Sequence, residues 1–176
     1  WLYAVAYTLH VYFDFSGYSD MAIGLAAMMG IHFDENFQSP YQSHSIREFW
    51  RRWHISLSSW LRDYLYIPLG GSRVKKWVTY RNLVIVFALC GLWHGAAFTF
   101  LIWGLWHGAL LILERGRIGM LIEKMPVWIQ RVYCFTAVMT GWVFFRAENI
   151  DHAFNYFEIM FSFGNIPAHG TFTIGF

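Results

Sequence analysis

Three histidines in this 176-residue chain stand where an imidazole could do chemistry. His94 lies in Leu89-Cys90-Gly91-Leu92-Trp93-His94-Gly95-Ala96-Ala97, within an otherwise apolar run. An ionisable side chain in such a run is costly in lipid and marks a functional site by default. A low-dielectric surround favours the uncharged imidazole, and a neutral imidazole can take the proton of a hydroxyl as a general base. Gly91 and Gly95 flank it and allow a backbone or a substrate to come close, and Trp93 beside it is a candidate substrate contact. The competing reading is a histidine hydrogen-bonded across packed helices, and local context does not separate the two. His107 sits in a second Trp-His-Gly, Trp106-His107-Gly108, so the tripeptide does not say which ring reacts. His54 falls at the border between an apolar and a charged helix face. It reads as an acid/base or acceptor-orienting group at the mouth of a buried site, or as an ordinary interfacial histidine.

Other polar groups are candidates for binding. The island Asp14-Phe15-Ser16-Gly17-Tyr18-Ser19-Asp20 interrupts an apolar stretch. Asp14 and Ser16 there either contact an acceptor or satisfy the backbone of a broken helix, which needs polar partners in lipid. Arg47, Arg51 and Arg52 either meet the phosphates of a cytosolic acyl donor or anchor to anionic lipid headgroups. No Gly-rich phosphate loop, nucleophile elbow or H-E-x-x-H run is present, and His32 next to Asp34 is weak evidence for a metal. No bound cofactor or metal is expected. Basic residues interleaved with lipid-facing Trp argue against nucleic acid. Cys90 and Cys134 are isolated in apolar segments and read as buried small side chains.

The elements that must hold these residues are helical. The chain is 57% hydrophobic, 21% aromatic and 14% charged, whereas soluble domains carry about 25% charged residues. Burying so apolar a chain in water would leave large exposed patches, so a membrane is its natural solvent. The expected class is all-α: a polytopic transmembrane protein with an amphipathic interfacial helix and a re-entrant or tilted helix pair. Residues 1–31 are long enough for one span, with a break near Gly17, and 32–45 read as a loop. Over 46–64, Ile46, Phe49, Trp50, Trp53, Leu57, Trp60, Leu61 and Tyr64 fall on one helical face. Arg47, Glu48, Arg51, Ser58, Ser59, Arg62 and Asp63 lie opposite, a pattern suited to a membrane interface. Ser45 or Ser43 would cap this helix, with Glu48 completing a capping box, and Pro68-Leu69-Gly70-Gly71 would end it in a turn. Residues 82–113 are too long for one span of a ~30 Å core and predict two short or tilted helices bending near Gly91–Ala96. Residues 126–145 predict another span, and 151–163 a short surface helix.

Eight of the thirteen Lys and Arg lie between Arg47 and Arg81, which places 32–81 at the interface on the cytoplasmic side. Arg115, Arg117 and Lys124 return to that side if 82–113 is a hairpin. The chain begins at Trp1 without an initiator Met and ends on the Gly/Thr/Phe stretch Thr171–Phe176. It is expected to be an internal piece of a longer protein, with 1–176 forming one membrane-embedded region.

The runs Tyr12-Phe-Asp-Phe-Ser-Gly-Tyr-Ser-Asp-Met-Ala, Arg47-Glu-Phe-Trp-Arg-Arg-Trp-His-Ile-Ser-Leu-Ser-Ser-Trp-Leu-Arg-Asp-Tyr-Leu-Tyr-Ile-Pro-Leu-Gly-Gly and Leu92-Trp-His-Gly-Ala resemble the membrane-bound O-acyltransferase family. They look most like its bacterial alginate O-acetyltransferase branch. Gly141-Trp-Val-Phe-Phe-Arg-Ala-Glu is similar to a later helix of that branch. The resemblance implies a helical fold around a passage through the bilayer, with His94 catalytic and His54 in the same site. His107 then falls to a supporting role. It also implies acetyl-CoA or a similar acyl thioester as co-substrate, and a multi-pass location in the bacterial inner membrane. The implied partners are periplasmic acetyltransferases and the machinery of an exopolysaccharide such as alginate.

Two other readings stand beside this one. D-alanyl or other acyl transfer to teichoic acid or another surface glycan would be marked by a neighbouring D-alanine carrier gene. A transporter using His94 as a proton relay would move solute and release no thiol from an acyl thioester.

Overall fold

Long apolar runs and the periodic stretch 46–64 lead to helices, and the computed structural model, which describes residues 1–162, is helical accordingly. Its elements are α1 (Leu2–Met28), α2 (Ile46–Arg52), α3 (Ile55–Leu61), a wide π turn (Arg62–Tyr66), α4 (Lys76–His94), α5 (Phe98–Glu114), α6 (Arg117–Glu123), α7 (Val127–Arg146) and α8 (Ile150–Phe161). Among the described residues there is no strand. Residue 163, expected at the end of the last helix, and the Thr171–Phe176 stretch lie outside them.

The predicted pair over 82–113 forms, with its break at residues 95–97. Glycine lets α4 and α5 touch backbone to backbone. A Cβ on Gly91 would collide with the Phe100 carbonyl, and one on Gly104 with the Phe87 carbonyl. Two other expectations are corrected. The 27-residue α1 runs through Gly17 without a break, because one glycine costs a helix only about 1 kcal/mol and no proline interrupts the ladder. The 46–64 segment is not one helix: it divides at Trp53 and His54. Its apolar residues part company there, since Ile46, Phe49, Trp50 and Trp53 are buried while Trp60 and Tyr64 are exposed.

That burial makes α2 the centre of the core. Its aromatic side chains pack with Leu83, Val86 and Phe87 of α4, Trp103 and Leu110 of α5, and Val138 and Trp142 of α7. Full burial of each large apolar side chain contributes roughly 1.5–3 kcal/mol. Cys90 and Cys134 are buried in the same cluster as free thiols. Among the described residues no helix is long and apolar enough to cross a membrane. The longer helices carry polar residues within them, such as Asp14 and Asp20 in α1 and Arg81 and Asn82 in α4, while α5 has only 17 residues.

The start of α2 is fixed from two sides. Ser45 Oγ accepts from the Glu48 amide at 3.1 Å, as the capping pattern predicts. Glu48 reaches back to the amide of His44 (2.8 Å) rather than that of Ser45. The Ile46 and Arg47 amides instead donate to the buried Glu114 carboxyl at the end of α5, at 2.6 and 3.1 Å, and the Tyr133 hydroxyl donates to it at 3.3 Å. Glu114→Ala is therefore expected to cost about 2–3 kcal/mol, because two helix-end N–H groups lose a carboxyl acceptor. A lowered thermal midpoint of the purified protein checks this; an unchanged midpoint would mean water replaces the cap.

Candidate active site

His94 is the last residue of α4, and Gly95–Ala97 carry the chain into α5. Its ring is half-buried, edge-on to Trp103 (centroids 4.9 Å) and to Phe145 of α7 (5.3 Å). Gly91 serves the α4–α5 contact one turn before it, so the close approach expected there is made by backbone. Trp93 is 65% exposed.

His54 joins α2 to α3 with φ 43°, a left-handed conformation uncommon outside glycine. Such a residue costs of order 1–3 kcal/mol and persists only where surrounding bonds over-determine it. Those bonds come from the 32–45 loop. Ile55 N donates to the Asn36 carbonyl (3.0 Å), Ser56 N to Asn36 Oδ1 (3.1 Å), and Gln38 N to the Arg52 carbonyl (2.9 Å). The His54 ring meets Phe15 edge-on at 4.7 Å, and its Nδ1 lies 3.3 Å from Asn36 Oδ1. Burial pushes the His54 imidazole down to about 4, with a further contribution from the charge of His94. The two rings are thus within electrostatic reach, and His54 is neutral at neutral pH.

Two cavities share His54. One, of about 600 Å³, is mostly apolar; Trp60, Leu65, Leu89, Cys90 and Trp93 are among its walls. His94 is not itself among the lining residues, but its neighbours Cys90 and Trp93 are. The other, of about 560 Å³, is ringed by Tyr18, Ser19, Phe33, Asp34, Glu35 and Asn36. A third cavity of about 350 Å³ has an apolar floor of Trp50, Leu83, Val86 and Phe87, with Arg47, Arg51, Arg62 and Arg115 around it. Arg62 is paired with Asp63 (2.7 Å), and Arg115 donates to Tyr66 Oη and Ser72 Oγ. Arg47 and Arg51 have no carboxylate partner among the described residues. Arg115 thereby links the end of α5 to the 62–72 turn.

The structure therefore gathers His54 with Trp93, sets His94 beside them, and places Arg47 and Arg51 on a separate basic cavity. Other candidates fall elsewhere. Arg52 is held by Glu48 (2.8 Å) and the Gln38 carbonyl. Asp14 is exposed and Ser16 half-buried, and neither lines these cavities. His107 is fully buried, accepting from Trp50 Nε1 at 3.3 Å. No three potential metal ligands gather among the described residues. Residues that sequence reasoning missed are Asn36, Ser56 and Cys90 around His54, and Arg115 at the basic cavity. Asn36 lies in a polar loop without periodicity; only the length of that loop hinted at a role.

The profile described as MBOAT, membrane-bound O-acyltransferase family, matches residues 1–150. The chain belongs to this family of membrane-bound proteins. It is 59% identical over 168 residues to the probable alginate O-acetylase AlgI of Azotobacter vinelandii, covering 94% of this chain and 33% of the relative. The protein of the same name from Pseudomonas aeruginosa is 58% identical over 164 residues, covering 93% and 32%. The peptidoglycan O-acetyltransferase of Helicobacter pylori is 44% identical over 159 residues, covering 87% and 30%. The chain spans about a third of the length of these relatives.

Proposed function

We propose that the whole protein is a multi-pass inner-membrane O-acyltransferase that passes an acetyl group from a cytosolic thioester across the membrane for O-acetylation of an exopolysaccharide such as alginate. The observation that carries this reading is the position of His54: it is a wall common to two cavities, one almost wholly apolar and one whose apolar wall also carries Ser19, Asp34, Glu35 and Asn36, with His94 in electrostatic reach. An acyl thioester arm suits the apolar side. The rim of aromatic rings, carboxylates and an amide suits an acceptor hydroxyl. His94 removes the proton of that hydroxyl as its oxygen bonds to the thioester carbon. The C–S bond then breaks, and the proton held by His94 is available to the departing thiolate. His54, neutral, is suited to accepting a hydrogen bond that orients the acceptor rather than to donating a proton. Acetyl transfer is favoured because both alginate relatives match more than nine-tenths of the chain. Periplasmic acetyltransferases would carry the group onward.

The donor's phosphates fit the cavity ringed by Arg47 and Arg51, with Arg62 and Arg115 in place of Arg52. The test uses full-length protein in lipid vesicles with acetyl-CoA, the periplasmic acetyltransferases and an alginate oligosaccharide, following free thiol and sugar-bound acetate together. Both should appear in equal amounts, and solute movement without thiol release would sink the reading. In the same assay the double change Arg47→Ala/Arg51→Ala should raise KM for the donor about tenfold or more, the loss of charge-assisted hydrogen bonds, with kcat little altered. An unchanged KM would put the donor phosphates elsewhere.

A further inference from the structure

Helix α3 begins without a cap of its own. His54 occupies the capping position, yet its side chain makes no capping bond. The first two amides of the helix are satisfied instead by Asn36, nineteen and twenty residues earlier in the sequence. Its carbonyl accepts from Ile55 N (3.0 Å) and its Oδ1 accepts from Ser56 N (3.1 Å). The carboxamide is anchored on its other side, where Nδ2 donates to the buried Ser19 Oγ of α1 at 3.2 Å.

This arrangement settles a question of proton placement. A backbone N–H can only donate, so the Asn36 atom facing Ser56 N must be the oxygen. That same oxygen lies 3.3 Å from His54 Nδ1. The other group near Nδ1, the Ser56 hydroxyl at 3.3 Å, gives its own proton to Asn36 Oδ1 at 3.0 Å. Nδ1 therefore faces acceptors, and in a neutral imidazole the nitrogen facing an acceptor carries the hydrogen.

We propose that Asn36 is a positioning residue for His54: its carboxamide oxygen holds the ring in the Nδ1–H form and leaves Nε2 as the lone pair that a substrate hydroxyl can approach. The role in transfer rests on the function proposed above; the tautomer does not. Asn36 also holds the left-handed turn that aims the ring, so one side chain sets both its direction and its proton.

The test is made on the full-length protein in lipid, with ¹⁵N-labelled histidine and the His54 signals identified by their loss in His54→Gln. His54 should show a protonated Nδ1 and a bare Nε2. Asn36→Ala should mix the tautomers or reverse them and lower kcat about 10- to 100-fold, as loss of a group orienting a functional histidine does elsewhere. Asn36→Asp keeps the acceptor and adds a negative charge that favours imidazolium. The groups facing His54 are His94 and Cys90 of α4, Tyr64 of the π turn, Tyr18 of α1, and Asp34 and Glu35 of the loop. Against this constant background Asn36→Asp should raise the His54 titration by about one unit or more. Because the neutral ring is the working form, the acid limb of the transfer rate should move up in pH by the same amount while KM stays near its original value. A protonated Nε2 in the unaltered protein, or an Asn36→Ala protein with the original tautomer, would overturn the proposal. A tautomer that depends on Asn36, beside transfer that survives both His94→Ala and His54→Ala, would uphold the positioning and discard the proposed reaction.

Discussion

His94→Ala in the full-length protein is expected to abolish acetyl transfer while the protein still inserts in the membrane. A positioned general base contributes roughly 10²- to 10⁴-fold to a rate, so residual transfer should fall to background. The structure supports a selective loss. The ring is half-buried at a helix end and packs edge-on against Trp103 and Phe145, whereas the α4–α5 contact is made by Gly91 and Gly104. Removing an imidazole from the end of α4 leaves that contact whole. Acetylated surface polymer in cells, measured beside the amount of protein in the membrane, decides it. Undiminished acetylation by a well-expressed variant would remove His94 from the reaction.

Gly104→Leu is expected to be as damaging for the opposite reason, by preventing the fold rather than the chemistry. A Cβ at residue 104 collides with the Phe87 carbonyl and comes within 3.2 Å of the Gly91 amide nitrogen. Backbone cannot swing aside as a flexible side chain can, so α4 and α5 would have to separate. Overpacking in a tight core costs typically 1–3 kcal/mol and occasionally more, and a whole leucine against main chain belongs at the upper end. The variant should accumulate poorly and melt early. Gly116→Leu, where a Cβ meets only the Leu113 carbonyl at 3.5 Å, is the control. Equal yield and melting for the two would show that α4 and α5 do not touch through Gly104.

What the sequence could reveal depended on how local each cause was. The helix pair at 82–113 was legible because its apolar run exceeds one span and carries glycine near its centre. The Ser45 cap was legible because its bond closes over three residues. The break at His54 was not: apolar residues keep helical spacing across it, neither glycine nor proline marks it, and its cause is Asn36 in a separate loop. The uninterrupted α1 was misjudged because a polar island in an apolar stretch resembles a broken helix. In the helix it simply exposes Asp14 and Asp20 and buries Ser19 against Asn36. At the site, the runs quoted for the family pointed to His94 and His54. Arg51 and Arg52 were indistinguishable by charge, yet Arg52 stands four residues after Glu48, where a helix pairs opposite charges, and that pair takes it away from the cavity.

Glu114 and Arg115 are adjacent at the end of α5 but grip different parts of the chain, the first amides of α2 and the turn around Tyr66 and Ser72. The middle of α5 is set against α4 at Gly104 and Gly108. The number of residues between these fixtures is consequently not free to drift. One residue inserted or deleted there would turn the helix end through about 100°, carrying both side chains off their targets at once. A change of length in this stretch would therefore disturb two distant attachments at once, where a single substitution disturbs one.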